Sequence, residues 1–179
     1  MADVRIRPYV AGDAPLLLEA ARESWREVHP WMAWCHSEIT LDETEAWING
    51  QIPKFAEGTS FDFTITDASG AFLGSCGLNH IEPENRYCNL GYWVRTSRAG
   101  QGIVSSAVRL LAAWAFENTE LVRLEIVAAV GNLASQRVAE KAGAVREGTL
   151  RKRLLLHGVW HDAAVFSITR DGAPMLSER

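Results

Sequence analysis

Cysteine is scarce in this sequence, and its spacing excludes several kinds of site. The 179 residues include 3 cysteines, Cys35, Cys76 and Cys88, and none of them belongs to a C-x-x-C pair. An odd number of widely separated cysteines is typical of a reducing compartment and argues against a disulfide framework or a zinc site. We therefore expect a cytoplasmic protein that uses no metal, with the three cysteines in its core.

Long apolar runs and an excess of basic residues are also missing. No run approaches the ~20 apolar residues of a membrane-spanning helix. The first residues lack the basic start and apolar run of a secretory signal. The 18 Lys+Arg against 22 Asp+Glu give a net charge of −4, which is unfavourable for general binding to nucleic acid or an anionic membrane. We expect neither as a partner.

What is present is the composition of one soluble domain. Hydrophobic residues make up 47% and charged residues 22%, and no repeat, linker or low-complexity segment divides the chain. Hydrophobic periodicity and turn residues predict the order β-α-α-β-β-β-α-β-α-β-β. Among the clearest signals are the period-two strand at 61–66 and a capping box at Thr40 and Glu43. This order predicts an α/β (α+β) fold, a mixed, mostly antiparallel sheet flanked by helices, over residues 4–170.

A glycine-rich turn, A-G-Q-G-I-V at 99–104, lies between a predicted strand and a predicted helix. Glycine lets backbone N–H groups approach a ligand closely, and the start of a helix adds partial positive charge. A pyrophosphate is the natural occupant, although a flexible connecting loop would have the same sequence. The turn is not a P-loop, because no Lys-Ser/Thr follows it.

A second polar motif, N-L-A-S-Q-R-V-A-E-K-A-G, runs from Asn132 to Gly143. Asn132 suits the N-cap of a short helix, and Gly143 suits the residue just beyond its C-terminus. Ser135 lies one turn along from Asn132, on the same face of that helix. A single ligand could therefore contact both the glycine turn and this helix start.

These motifs, in this order, resemble the acetyl-CoA-dependent GNAT N-acetyltransferases. The resemblance lies in L-G-Y-W-V at 90–94, R-A-G-Q-G-I-V at 98–104 and the motif that begins at Asn132. H-P-W-M-A-W at 29–34 and G-V-W-H-D at 158–162 are similar to the RimJ/RimL branch, which acetylates protein N-termini. The resemblance implies a GNAT fold and direct attack of an amine on acetyl-CoA, with no metal and no enzyme nucleophile.

The resemblance also implies a role for each motif residue. Backbone groups of Trp93 and Val94 would hold the pantetheine arm and the oxyanion. Asn132 would hydrogen-bond the pantetheine, and the Ser135 hydroxyl would protonate or stabilise the departing sulfur. The pyrophosphate would lie on the turn, with Arg98 compensating for Ala99, where the family usually has Gln or Arg. The implied turn residues are Arg98, Gly100, Gln101, Gly102, Ile103 and Val104.

The chain departs from the family at Asn89, where the strand often carries a Glu as general base. Glu82 is our predicted substitute, with Glu84, His80 and His36 as other candidates. An α-amine with a pKa of ~7.8 is about 400-fold more often neutral at pH 7 than a lysine at ~10.4. The missing Glu therefore favours an α-amine as acceptor.

Tryptophans predict the acceptor site, because 4 of the chain's 7 lie within the first third. In the family the first two helices wall this site, and we expect Trp31, Trp34 and His36 to bind the acceptor, although Trp31, Trp34 and Trp47 would equally suit a core. The tryptophan surplus also makes a homodimer plausible. Three alternatives stay open: a small-amine acetyltransferase, a non-catalytic acyl-CoA-binding module and a nucleotide-binding regulatory domain.

Overall fold

The computed structural model describes residues 3–172, and its order of elements confirms the predicted one. Three one-turn 3-10 helices lie at Ala11–Asp13, Thr96–Arg98 and Arg170–Gly172. None of the helices in this range is long and apolar enough to cross a membrane. The main elements are β1 (Arg5–Pro8), α1 (Ala14–Val28), α2 (Leu41–Glu57), β2 (Phe61–Thr66), β3 (Phe72–Glu82), β4 (Tyr87–Val94), α3 (Ile103–Asn118), β5 (Arg123–Ala129), α4 (Leu133–Lys141), β6 (Val145–Leu156) and β7 (Val159–Thr169).

The strands form one 7-stranded sheet in the order β1-β2-β3-β4-β5-β7-β6. Every neighbouring pair is antiparallel except β4 and β5, which are parallel. The predicted mixed, mostly antiparallel sheet is therefore confirmed. β3 is longer than expected, since it continues past Leu78 to Glu82 through an irregularity that includes His80 at φ 50°. This irregularity interrupts the period-two pattern from which the strand was predicted.

Helices cover both faces of the sheet. Successive side chains of each strand point to opposite faces, so apolar side chains on both faces need to be covered. Leu90 of β4 belongs to the cluster formed with α3, together with residues such as Val108 and Leu111. Trp93 of the same strand belongs to the cluster formed with α1 and α2. The core is thus two apolar layers, and β4 contributes to both.

The start of α2 is fixed by the predicted capping box. The Thr40 hydroxyl accepts from the Glu43 N–H at 3.3 Å, and the Glu43 carboxylate accepts from the Thr40 N–H at 2.8 Å. Two of the otherwise unpaired amides at the helix start are satisfied in this way. The cap therefore fixes the beginning of α2, and α2 forms one wall of a cavity between the sheet and helices α1 and α2.

Candidate active site

A gap opens between β4 and β5 in the middle of the sheet. The two strands are paired only from Tyr87↔Arg123 to Asn89↔Glu125, and both continue beyond these pairs. Backbone N–H and C=O groups that border such a gap are strong hydrogen-bonding groups outside the ladder. Trp93 and Val94 lie on the β4 side of the gap, at the strand's end. The gap is therefore suited to a ligand that bonds along the edges of both strands.

The N-termini of α3 and α4 lie at the same edge of the sheet as the open end of this gap. Because β4 and β5 are parallel, their C-terminal ends point the same way, and a helix follows each of them. The side chain of Arg109 on α3 also donates to the Lys141 carbonyl on α4 at 2.9 Å. The structure thus brings the glycine turn and the Asn132 motif to one end of the sheet.

The glycine turn has the backbone geometry expected of an anion site. Gly100 and Gly102 have φ of 76° and 77°, in the left-handed region that glycine adopts without strain. The first hydrogen bond within α3 runs from the Ser106 N–H to the Gly102 carbonyl at 3.1 Å, so the preceding amides have no partner inside the helix. Arg98 and Gln101 are exposed beside the turn, whereas Ile103 and Val104 are buried in the first turn of α3.

Asn132 and Ser135 form the cap of α4. The Asn132 Oδ1 accepts from the Ser135 N–H at 3.1 Å, as predicted for an N-cap. Gly143 follows the helix with φ 91°, which confirms its place beyond the C-terminus. No other hydrogen bond to the Asn132 side chain forms within residues 3–172, so its Nδ2 group is available as a donor to a ligand.

Tyr92 connects the two sides of the gap, and the sequence did not single it out. Its hydroxyl donates to the Ser135 carbonyl at 2.9 Å and lies 3.1 Å from the Ser135 Oγ. Burial raises the pKa of Tyr92 to about 12, so this hydroxyl keeps its proton at neutral pH. Tyr92 lies within the 90–94 motif, but its contact with Ser135 depends on the distance between β4 and α4.

A cavity of about 410 Å³ lies on the opposite face of the sheet, under α1 and α2. Trp34, His36 and Trp47 line it, together with Trp93 of β4. The rings of Trp34 and Trp93 meet edge to face, with centroids 5.4 Å apart. Trp31 does not line the cavity; it lies beside Gly131, where an added Cβ would be 3.5 Å from the Trp31 ring. The cavity thus brings together two of the three residues expected to bind an acceptor.

The sequence-predicted bases lie away from this cavity. Glu82, Glu84 and His80 are not among its lining residues. The Glu82 carboxylate accepts from the amides of Glu84 and Asn85, at 3.2 and 2.6 Å, and these bonds hold its pKa below the ordinary value. A carboxylate stabilised in this way is a weaker base.

The structure introduces another carboxylate that the sequence analysis missed, Asp62 of β2. It lines the cavity and is half-buried, and burial raises its pKa above the ordinary value. Its one sequence signal is an acidic residue inside a strand whose neighbours are apolar or threonine. Asn89, in contrast, is tied to β3, because its Nδ2 donates to the Asn79 Oδ1 at 2.9 Å.

The three cysteines are buried and free. Burial raises the pKa of Cys35 to about 11 and that of Cys88 to about 12, and it also raises the pKa of Cys76. Thiols that stay protonated are poor nucleophiles. Across the described residues, no group of three or more His, Cys, Asp or Glu side chains could hold a metal ion.

Comparison with known proteins identifies the architecture that has this gap. The family model of the GNAT acetyltransferase domain matches residues 3–145. The chain belongs to the GNAT acetyltransferase family. It is therefore an acyltransferase that moves an acetyl group from acetyl-CoA to an amine.

Several relatives are similar over most of this GNAT acetyltransferase. The ribosomal-protein-serine acetyltransferase of Escherichia coli (strain K12) is 29% identical over 137 residues, 76% of this chain and 74% of its own length. YdaF of Bacillus subtilis (strain 168), provisionally named a ribosomal N-acetyltransferase, is 29% identical over 93% of this chain and 91% of its own length. The solved structure of RimL, a ribosomal L7/L12 alpha-N-protein acetyltransferase, in complex with coenzyme A has the same fold, with a TM-score of 0.86 at 24% identity. That match covers 96% of this chain and 97% of RimL.

The observed geometry of this GNAT acetyltransferase fits acetyl-CoA as its co-substrate. The gap offers unpaired backbone edges to an extended arm, and the start of α3 offers amides to phosphates. We call the gap, the glycine turn and the start of α4 the donor side, and the cavity under α1 and α2 the acceptor side. They lie on either side of β4, so an amine in the cavity could reach a thioester in the gap.

Proposed function

We propose that this GNAT acetyltransferase acetylates the α-amino group at the N-terminus of a protein. The observation that carries the proposal is the aromatic cavity, which adjoins the β4–β5 gap and is lined by Trp34, Trp47 and Trp93. The names of the relatives from E. coli and B. subtilis support the same acceptor class. The high neutral fraction of an α-amine supports it as well, because the family Glu is absent at Asn89.

On the donor side, we infer that backbone amides do most of the binding. Amides of Gly100, Gly102, Ile103 and Val104 would hold the pyrophosphate, with Arg98 and Gln101 beside it. Backbone groups of Trp93 and Val94 would hold the pantetheine arm, and an N–H there would stabilise the oxyanion. The free Nδ2 of Asn132 would donate to the same arm. These roles depend on conformations that the two glycines and the N-cap supply.

Ser135 is the proposed proton donor to the departing sulfur. Attack forms the N–C bond and an oxyanion, and collapse breaks the C–S bond while the sulfur takes the Ser135 proton. Tyr92 has one hydroxyl proton, which it donates to the Ser135 carbonyl, and because the Ser135 Oγ is only 3.1 Å away this proton can turn to that oxygen as the Ser135 proton leaves. On the acceptor side, Trp34 and His36 would contact the acceptor, with Trp31 near the start of α4. Glu82 is the base predicted from sequence.

Binding of acetyl-CoA is tested first. A thermal-shift measurement should give about 2.7 kcal/mol of stabilisation when acetyl-CoA is at 100 times its Kd. ATP and NAD are the controls and should stabilise little. Stabilisation by these nucleotides without any by acetyl-CoA would contradict the proposal and favour the nucleotide-binding domain.

Thiol release then tests the acceptor. We expect release of the CoA thiol with peptides that have a free α-amine, and none with the same peptides after Nα-acetylation, even when they contain lysine. Release with spermidine alone would identify a small-amine acetyltransferase instead. Binding of acetyl-CoA without release for any amine would identify a non-catalytic acyl-CoA-binding module.

We also infer one domain over residues 4–170 that acts in the cytoplasm as a homodimer. The three buried, free cysteines support a reducing compartment. Apolar residues exposed on the β6–β7 hairpin support a dimer, since Leu155, Val159 and Trp160 are 54%, 59% and 57% exposed. Light scattering should give twice the 19.8 kDa chain mass, and Trp160→Glu should shift the protein towards monomer.

A further inference from the structure

Asp62 lies on β2, and one strand, β3, separates it from β4. The register pairs Asp62 with Gly77 and Gly77 with Gly91, so these three residues share one face on β2, β3 and β4. A Cβ added to Gly77 would be 2.3 Å from the Asp62 Oδ1 and 3.1 Å from its Cγ, so the carboxylate extends over β3. An added Cβ on Gly91 would meet only the Asn89 Nδ2, at 3.9 Å. Two glycines thus leave an open path from Asp62 to β4.

The Asp62 carboxylate forms no salt bridge with any of the described residues. Among residues 3–172, no Lys, Arg or His nitrogen lies within 4.0 Å of it, and the Ser60 hydroxyl donates to its Oδ2 at 2.8 Å. Asp13 differs, because both of its oxygens accept from the Arg7 guanidinium at 2.7 Å. A half-buried carboxylate without a salt bridge lowers stability unless a ligand supplies a directly bonded positive charge.

A second polar group, the Tyr9 hydroxyl, belongs to a residue that lines the same cavity. The Tyr9 hydroxyl is fully buried beside Ser75, and the residue is only 6% exposed. Tyr9 lines the cavity together with Asp62. Burial raises the pKa of Tyr9, so this hydroxyl remains a neutral donor and acceptor. Because the Tyr9 hydroxyl is enclosed by protein, the Asp62 carboxylate is the polar group that remains for a ligand in this cavity, and it suits one that is cationic and donates hydrogen bonds.

We propose that Asp62 binds the acceptor's ammonium and takes its proton, in place of the Glu that is absent at position 89. The inference rests on the proposed function, because it requires a primary amine in this cavity. Neighbouring strands lie ~4.8 Å apart, and the carboxylate already covers the first of the two steps from β2 to β4. The rest of the path fits the ammonium, alone or with one water.

The proton balance of the reaction is complete with this residue. The ammonium gives one proton to the Asp62 carboxylate and becomes a neutral amine, which attacks the thioester carbonyl. As the oxyanion collapses and the C–S bond breaks, the sulfur takes the Ser135 proton and leaves as CoA thiol, and the second proton of the nitrogen passes through water to restore the Ser135 hydroxyl. Asp62 then releases its proton to water, so one proton leaves the site per acetyl group.

The cavity walls define the class of acceptor more closely. Trp34, Trp47 and Trp93 surround the path and can pack against an apolar first side chain or the cation itself. Glu43, which is hydrogen-bonded to His36 at 3.2 Å, adds a second carboxylate to the lining. We therefore infer an N-terminus without acidic residues at its first two positions, because a carboxylate there would face Asp62 and Glu43.

The pH dependence separates a proton acceptor from a structural residue. Lys54 on α2 is the cation whose charge lowers the pKa of Asp62, and Tyr9 and Cys76 face it with pKa values raised by burial. His36 and Glu43 complete the charged and titratable lining. Asp62→Asn should lower kcat/KM by about 100-fold or more near pH 6.5. The loss should shrink near pH 9, where most of an α-amine of pKa ~7.8 is already neutral.

The experiment is thiol release from acetyl-CoA with a free α-amine peptide, measured from about pH 6.5 to about pH 9. The variants are Asp62→Asn, Glu82→Gln, His36→Gln and the double variant Asp62→Asn with Asn89→Glu. The surface variant Asp42→Asn makes the same chemical change on α2 and should match wild type. We expect only Asp62→Asn to show a loss that shrinks as pH rises, and we expect Asn89→Glu to restore at least about 10-fold at low pH.

Stability serves as the control for folding. Because the folded-state pKa of Asp62 is raised, its ionised form destabilises the protein at neutral pH, so Asp62→Asn should keep or raise the Tm. Unchanged activity of Asp62→Asn at low pH would overturn the inference and leave the proposed function standing, as would transfer of the pH-dependent loss to Glu82→Gln or His36→Gln. An inactive wild type with every amine would overturn the proposed function itself.

Discussion

The donor side and the acceptor side of this sheet are built from different kinds of groups. The donor side uses backbone groups and a helix cap, and each piece comes from one short segment, 93–94, 100–104 or 132–135. The acceptor side uses side chains from many segments, including Tyr9, Trp34 and Asp62. A backbone site can serve the same co-substrate in many proteins, whereas a side-chain site can change its acceptor by single substitutions.

The largest effect should come from Ser135→Ala, because it removes the proton donor to the sulfur while the amides that hold acetyl-CoA remain. We expect kcat to fall by about 100-fold or more, with the Kd for CoA nearly unchanged. Stopped-flow thiol release and calorimetry would measure the two quantities. A companion Tyr92→Phe keeps the ring but loses the hydroxyl. If Ser135→Ala is fully active and Tyr92→Phe is not, the proton donor is Tyr92.

A smaller effect should come from Gly102→Ala, which alters the anion-binding turn. The added Cβ has room, since its nearest neighbour would be the Ser105 Oγ at 4.0 Å, but φ is 77°. Forcing an L-residue into this conformation costs about 1–2 kcal/mol and displaces the amides. We expect the KM for acetyl-CoA to rise about 10-fold with the acceptor KM unchanged.

Gly70→Ala is the matched control for that substitution. Gly70 also has a positive φ, 84°, and an added Cβ there would meet nothing within 4 Å. It lies in the β2–β3 turn and should lower stability by a similar amount without changing either KM. Equal KM changes for the two glycine variants would mean that strain alone, rather than anion binding, explains Gly102.

Trp34→Ala tests the acceptor side separately. Trp34 is 41% exposed and stacks edge to face on Trp93, so its removal should leave the core largely intact. Loss of one aromatic contact is worth about 1 kcal/mol, and we expect the peptide KM to rise about 5-fold. The KM for acetyl-CoA, measured in the same assays, should not move. A rise in both would mean that the two sides are coupled through Trp93.

The smallest effect should come from Glu147→Gln, which lies outside both sides. Arg123 and Ser167 hydrogen-bond Glu147 and lower its pKa to about 2. Its stabilising contribution is therefore present above the ordinary value of 4.5 and is lost as pH falls towards 2. The Arg123–Glu147 ion pair is partly exposed, so we expect the substitution to lower the free energy of unfolding by at most about 1 kcal/mol near pH 7. Neither KM should change. Urea unfolding at pH 7 and pH 3 would measure the cost, which should be clearly smaller at pH 3, and an undiminished cost at pH 3 would contradict the assignment.

The two sides also differ in how well the sequence predicted them. Local patterns predict the order of elements, the caps at Thr40 and Asn132 and the backbone conformation of the glycine turn. The resemblance to GNAT enzymes indicated acetyl-CoA as the co-substrate. Asp62 and the Tyr92–Ser135 contact were missed because they depend on strand register and on the spacing between β4 and α4. A one-residue change of register would move Asp62 to the other face of the sheet.

The short pairing of β4 with β5 has a consequence for the chain as a whole. It is the seam between an N-terminal half of the sheet, β1 to β4, and a C-terminal half, β5 to β7. An extended ligand arm that bonds to both edges acts there as a strand that the chain itself does not supply. Bound acetyl-CoA would thus add hydrogen bonds between the two halves of the sheet as well as supply the acetyl group, and the two halves would separate least easily when the enzyme is ready to react.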